Sequence, residues 1–275
     1  MPRGRGRCHA GDDGRSNPLA GVKRVLITGI TGLIGGIILA DLRRDHEVTG
    51  IARRHMDGVR HFQADIYDYE AILPAFEGQD AVVHLAANGS VATPWESALK
   101  NNIMGTRNVY QACVDSGVRR VVFASSNHVT GLYENDPPYS HIVKGEYDKV
   151  DAEAIPLITH ESLIRPDSHY GVSKAYGEAL GRFHSEEHGL SVSCLRIGSL
   201  RPIDNPFGAV RFYATWQSHR DLAQQVRKSL ERDIGFGVFY GVSDNKWRFW
   251  GIDRCKDVIG YRPRDNAEEH RAAEK

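Results

Sequence analysis

The stretch KRVLITGITGLIG, Lys23 to Gly35, decides the fold. Val25 to Thr28 form a short apolar run that stops at Gly29, and a second apolar stretch opens at Gly32 and continues to about Arg44. The first run has the length of a strand buried on both faces, and the second has the length of a helix. The glycines between and within them have distinct uses. Gly29 permits a tight turn, Gly32 lets backbone approach a pyrophosphate, and Gly35 lets the helix pack close to the strand. An anion placed there meets the free N–H groups and positive dipole end of the helix. A G-x-x-G-x-x-G triplet alone is a weak signal, but one that ends an apolar strand and opens an apolar helix predicts a dinucleotide-binding unit.

Working outward, the strand–helix alternation repeats. HEVTGIAR (46–53), RHFQADI (60–66), DAVVHLAA (80–87), RRVVFASS (119–126) and LSVSCLRIGS (190–199) read as further strands. DYEAILPAFEG (68–78), a long segment from about Trp95 to Ser116, and Tyr170 to His188 read as helices, each followed or ended by glycine. Strands alternating with helices predict an α/β chain of the Rossmann type, a doubly wound parallel sheet covered on both faces. Two segments leave this pattern. Residues 131–168 carry Pro137, Pro138, Pro156 and Pro166 and read as a long excursion off the sheet. Over about 200–250 the alternation fades to a helix, DLAQQVRKSLE, a short strand, VFYGVSD, and the aromatic, basic KWRFW. That part is expected to form a small C-terminal substrate cap. Residues 1–20, rich in Gly and Arg with no apolar core segment, are expected to be a disordered tail ahead of a single domain over 21–275.

Composition removes several function classes. Lys+Arg and Asp+Glu both number 35, so no net charge argues for nucleic acid or an anionic membrane as partner. No apolar run approaches the ~20 residues of a membrane span. Cys8, Cys113, Cys194 and Cys255 have no metal-knuckle or redox-pair spacing, so no metal is expected and the thiols read as those of a reducing, cytoplasmic compartment.

The second strand ends in Arg53 and Arg54, where an acid would stand to read a ribose 2′-hydroxyl. Arginine suits a 2′-phosphate, which favours NADP over NAD; a solvated basic strand end is the plainer alternative. Asp65, after the third strand, is placed to accept from an adenine amino group or simply to form a turn. Tyr170 and Lys174, in YGVSK, stand one helical turn apart on one face. A neighbouring ammonium and a positive nicotinamide ring favour the phenolate, so Tyr170 is the candidate general base. Ser126, at the end of the fifth strand, could hold a substrate oxygen. A Tyr-x-x-x-Lys pair by itself is usually plain helix surface; its place after the glycine turn and the Ser-Ser strand end is what gives it meaning.

TGITGLIG, VVHLAA, NNIMGT, ASSN and YGVSK, in this order, resemble the extended short-chain dehydrogenase/reductase family from Val22 to about Glu269. That resemblance implies that Asn102 joins Ser126, Tyr170 and Lys174 as a catalytic residue. It also frames the cofactor set as Gly29, Thr31, Gly32, Leu33, Ile34, Gly35, Arg53, Arg54, Asp65, Ile66, Leu85, Ala86 and Ala87, with Tyr170 and Lys174. VVFASSNHV, LRIGS, ATWQSHRD, VFYGVSDN and GYRPRDNAEE are similar to the uronate dehydrogenases and archaeal-type glucose-6-phosphate dehydrogenases of this family. This implies oxidation of the C1 hemiacetal of an anionic aldose, a uronate or a hexose phosphate, to a lactone. It places Ser90, Ser126, Asn127, His128, Ser199 and Arg211 on the sugar, with Arg211 facing its anionic group. A homodimer is implied as well, the Trp95–Ser116 and Tyr170–His188 helices pairing across a two-fold axis. The chain departs from the pattern at Arg53 and in the long stretch between Ser126 and Tyr170. A nucleotide-sugar epimerase or dehydratase retaining its dinucleotide is the alternative enzyme, disfavoured by the short C-terminal part. A non-catalytic dinucleotide sensor is disfavoured by the intact Ser126, Tyr170 and Lys174.

Overall fold

The computed structural model of the chain describes residues 21–274, so the tail expected over 1–20 lies outside the described residues. In chain order the elements are β1 (Arg24–Thr28), α1 (Leu33–Leu42), β2 (Glu47–Ala52), β3 (Arg60–Gln63), α2 (Tyr69–Ile72), β4 (Ala81–His84), α3 (Trp95–Ser97), a π-helical run (Ala98–Met104), α4 (Gly105–Asp115) and β5 (Arg120–Ser126). There follow a 3-10 stretch (Asn127–Asn135), α5 (Tyr139–Lys144), α6 (His169–His188), β6 (Ser191–Ile197), α7 (Phe212–Thr215), α8 (His219–Leu230), β7 (Phe236–Gly241) and α9 (Asp253–Val258). The strands form one seven-stranded parallel sheet in the order β3-β2-β1-β4-β5-β6-β7. The order reverses between β1 and β4, and ligands of doubly wound sheets lie outside the carboxyl ends of the strands at such a point.

The central strands are buried on both faces, and alternation sorts their apolar residues between two cores. Val25, Ile27, Val83, Val122 and Leu195 face one layer together with Ile38 and Leu42 of α1 and Leu222 and Val226 of α8. Leu26, Val82, Val121, Phe123 and Val192 face the other with Val109, Tyr110 and Cys113 of α4. A third cluster of Trp247, Phe249 and Trp250 with Ile142 and Ile158 anchors the excursion, which carries short helices rather than one unbroken loop. Between the layers, Arg196 of β6 and Glu178 of α6 form a bidentate ion pair, both bonds 2.8 Å, at 3% and 8% side-chain exposure. Ser125 donates to the same carboxylate at 2.6 Å, and Arg196 continues through the Tyr240 hydroxyl to Thr130. This network ties β5, β6, β7 and α6 together directly beneath the carboxyl edge.

The helix expected from Trp95 to Ser116 is present but not uniform: Ala98–Met104 is π-helical. Such widened turns recur at functional sites, and this one contains Asn102. Among the described residues no helix is long and apolar enough to cross a membrane.

Candidate active site

The glycine turn has the shape its sequence requires. Gly29 sits at φ 74°, and a Cβ there would lie 2.8 Å from the Ala86 backbone; a Cβ on Gly35 would lie 2.5 Å from the Ile30 carbonyl. Helix α1 begins at Leu33 with no side-chain cap and no acid in its first turn. Gly36 N–H takes the Gly32 carbonyl at 2.9 Å, so the N–H groups before it have no acceptor within the helix. An uncapped helix start at a turn packed too closely to admit a side chain at Gly29 or Gly35 fits a pyrophosphate.

Two adjoining cavities meet at this turn, sharing Gly29, Gly32, Leu85 and Ala87. One, of about 540 Å³, is lined by Thr31, Arg53, Arg54, Asp65, Ile66 and Ala86 among others. The other, of about 490 Å³, takes in Leu33, Ile34 and Gly35 and continues to Ser126, Tyr170, Lys174 and Arg211. Sharing these residues, they form one channel, whose Arg53–Asp65 end is the expected adenosine end and whose Ser126–Lys174 end is the expected catalytic end. A wider open groove of about 900 Å³ between α1 and α8 lacks catalytic side chains, and its Arg227 and Arg220 are paired with Asp41 and Asp265.

At the adenosine end, Arg54 donates to the Thr31 carbonyl at 3.2 Å, which lays it across the turn, while the Arg53 side chain is exposed. Asp65 lines the cavity and also accepts the Tyr67 N–H at 3.1 Å, so it serves its own turn whatever else it binds.

At the catalytic end, α6 carries Tyr170 and Lys174 onto β5. Ser168 caps the helix by accepting the Gly171 N–H at 3.1 Å. Gly171 lets the helix lie close, since a Cβ there would meet the His128 carbonyl at 2.3 Å. Tyr170 is half-buried, and burial pushes its phenol above the ordinary value of 10.0 while the Ser126 hydroxyl works the other way. Lys174 is buried, its Nζ donating to the Ala124 carbonyl at 2.6 Å. Burial pulls this amine down to about 7. Without cofactor, no hydrogen bond joins Tyr170 and Lys174, Nζ lies 5.7 Å from the centre of the phenol ring, and burial disfavours charge on both, so of the two cations expected to favour the phenolate the nicotinamide ring is the one still to be supplied.

Ser126 accepts the His128 N–H at 3.2 Å and, with Asn127 and His128, lines the cavity. His128 is held by Asp167 at 2.6 Å, with its ring 5.9 Å from that of Tyr170. Burial raises the Asp167 carboxyl, but the bonds from His128 and Ser168 outweigh it and leave it below the usual carboxylate range. Two expected residues fall outside the cavity. Asn102 is buried, accepts the Asn88 N–H at 2.8 Å, and donates to the Asn88 carbonyl at 3.1 Å and to Ser173 at 2.9 Å. It positions the loop and helix that frame the site rather than reaching into it. Ser90 is exposed, its hydroxyl accepting the Ala92 N–H at 3.2 Å in a local turn.

Ser199 and Arg211 do line the cavity, but Arg211 is not open as the sequence suggested. Its Nε and Nη2 are taken by the Glu134 carboxylate at 2.5 and 2.6 Å, and its Nη1 donates to Ser199 at 3.0 Å. Glu134, Asp167 and Arg201, also a lining residue, escaped sequence reasoning. They lie in the polar stretches 131–168 and 200–211, where no periodicity or motif distinguishes a site residue from solvated loop.

Comparison with known proteins gives the family and the fold. Residues 25–201 match the model of the NAD dependent epimerase/dehydratase family. The chain is 35% identical to the NAD-dependent glucose-6-phosphate dehydrogenase of Haloferax volcanii, over 89% of this chain and 94% of that one. It is 37% identical to the L-arabinose 1-dehydrogenase (NAD(P)(+)) of the same organism, over 89% and 97%. The crystal structure of uronate dehydrogenase from Agrobacterium tumefaciens superposes with a TM-score of 0.76 at 30% identity, covering 92% of this chain and 88% of that one. The chain belongs to the NAD dependent epimerase/dehydratase family.

Proposed function

We propose that this protein oxidises the C1 hemiacetal of an anionic aldose, a uronate or a hexose phosphate, to the corresponding lactone with NAD(P) as acceptor. The observation that carries the reading is that the glycine turn and Ser126, Tyr170 and Lys174 line one cavity, together with Asn127, His128, Ser199 and Arg211. Relatives named as glucose-6-phosphate, arabinose and uronate dehydrogenases support it. Tyr170 takes the anomeric hydroxyl proton as the hydride leaves C1 and the C1–O1 double bond forms. Ser126 holds O1, and Lys174 holds the ribose of the cofactor. The bound dinucleotide supplies the hydride acceptor, and its oxidised ring supplies the positive charge that an otherwise suppressed phenolate needs. His128, fixed by Asp167, and Asn127 orient the ring. Arg53 and Arg54, at the adenosine end, favour NADP over NAD.

The reading extends to assembly and compartment. Leu99, Met104 and Phe183 leave apolar side chains exposed on the π-helical run and α6, the elements that would pair in a homodimer. Cys113, Cys194 and Cys255 are buried free thiols, in keeping with a cytoplasmic site of action.

The test is a panel of uronates, hexose phosphates and neutral aldoses with both cofactors, read as reduced nicotinamide, with Tyr170→Phe as control. Turnover of an aldose that falls by about 10²–10⁴-fold in the variant is the expected result. Cofactor retained through purification with no net reduction would instead favour the epimerase.

A further inference from the structure

The cations lining the catalytic end of the channel are not equivalent. Lys174 is committed to the cofactor side and buried against the Ala124 carbonyl. Arg211 is neutralised: Glu134 takes Nε and Nη2, and Ser199 and Thr215 face Nη1 at 3.0 and 3.4 Å, so each guanidinium nitrogen already has a partner. At 25% and 14% side-chain exposure the Arg211–Glu134 pair is shielded, and displacing Glu134 would leave a carboxylate without its partner. Arg201 differs. Its guanidinium carbon sits 4.7 Å from the centre of the Phe212 ring. Gly208, at φ 97°, lies beside it, and a Cβ added there would come within 3.1 Å of Nη2. Arg201 thus lines the cavity in a defined place, with no carboxylate partner among the described residues.

We infer that Arg201, not Arg211, reads the anionic group of the substrate, and that the Arg211–Glu134 pair presents a closed, neutral wall behind Ser199. The inference rests on the aldose-dehydrogenase reading above and adds the residue that selects the substrate class. An arginine stacked on an aromatic ring keeps its N–H edge free, and that edge fits a carboxylate or a phosphate alike. Arg201 follows Ser199 by two positions, so the strand end that supplies a sugar contact also delivers the cation.

The experiment compares kcat/KM for a uronate, a hexose 6-phosphate and a neutral hexose in wild type, Arg201→Gln, Arg201→Lys and Glu134→Gln. The wild type should prefer one of the anionic sugars. In Arg201→Gln the anionic-to-neutral ratio should fall by about tenfold to a hundredfold, the loss lying in KM. Arg201→Lys should restore part of it. Glu134→Gln, by opening Arg211, should move the ratio upward. Calorimetric binding of hexose 6-phosphate to the cofactor-loaded protein should weaken in Arg201→Gln to match. A wild type that prefers the neutral hexose, or a ratio unchanged in Arg201→Gln, overturns the assignment while leaving the aldose reading intact. Failure of the wild type to oxidise any of the three overturns the aldose reading and this assignment with it.

Discussion

Replacing Lys174 with methionine should stabilise the cofactor-free protein, and by an amount that depends on pH. Lys174 is 4% exposed. Its hydrogen-bond acceptor is the Ala124 carbonyl, and no carboxylate salt-bridges it among the described residues. Burial therefore holds it at about 7, against an ordinary value of 10.5. In the unfolded chain the ordinary value returns. Between those two values the unfolded state carries a proton that the folded state lacks, so stability rises with pH across that window. At roughly 1.4 kcal/mol per tenfold change, burying this amine costs about 4 kcal/mol at about pH 7 and about 2 kcal/mol at about pH 9. Methionine keeps the length and flexibility of the side chain and removes the ionisable group. Urea denaturation of wild type and Lys174→Met at the two pH values should show the variant more stable, with the gap shrinking by roughly 2 kcal/mol at the higher pH. A gap that does not change with pH would mean that the amine is charged in the folded protein, and the argument would fail. The variant should also lose turnover, the stability–activity trade-off expected where a buried ionisable group serves a site.

Two further substitutions probe other parts of the account. Glu178→Gln leaves Arg196 buried without its counter-charge and should cost about 3–5 kcal/mol in urea denaturation; a loss under about 1 kcal/mol would mean that water reaches the pair. Arg53→Asp should move the NADP-to-NAD ratio of kcat/KM toward NAD by about tenfold or more, and an unchanged ratio would assign any 2′-phosphate contact to Arg54 or to backbone.

What the sequence disclosed was local, and what it withheld was not. The glycine turn, the Ser125-Ser126 strand end and Tyr170/Lys174 are short-range signals whose chain order carries their meaning, so the parallel sheet and the meeting of Ser126, Tyr170 and Lys174 in one cavity could be expected from residues alone. The π-helical Ala98–Met104 run was hidden because its residues suit an ordinary helix, and its widening serves the buried bonds of Asn102 to Asn88 and Ser173. The partners of the site side chains lie far away in sequence: Asp167 is 39 residues from His128 and Glu134 is 77 from Arg211. A guanidinium read from sequence is a free cation; only the fold shows that Glu134 has closed Arg211 and that, among the described residues, no carboxylate has closed Arg201.

The central claim is that hydride leaves C1 of an aldose while Tyr170 takes the proton. An aldose deuterated at C1 tests it most directly, by following the label into the reduced cofactor and the sugar product by mass spectrometry and NMR. The account predicts one deuterium at C4 of the nicotinamide for each lactone formed, a rate lowered by the substitution at C1, and loss of both products in Tyr170→Phe. Deuterium retained on a sugar inverted at another carbon, with no net reduced cofactor, would contradict it.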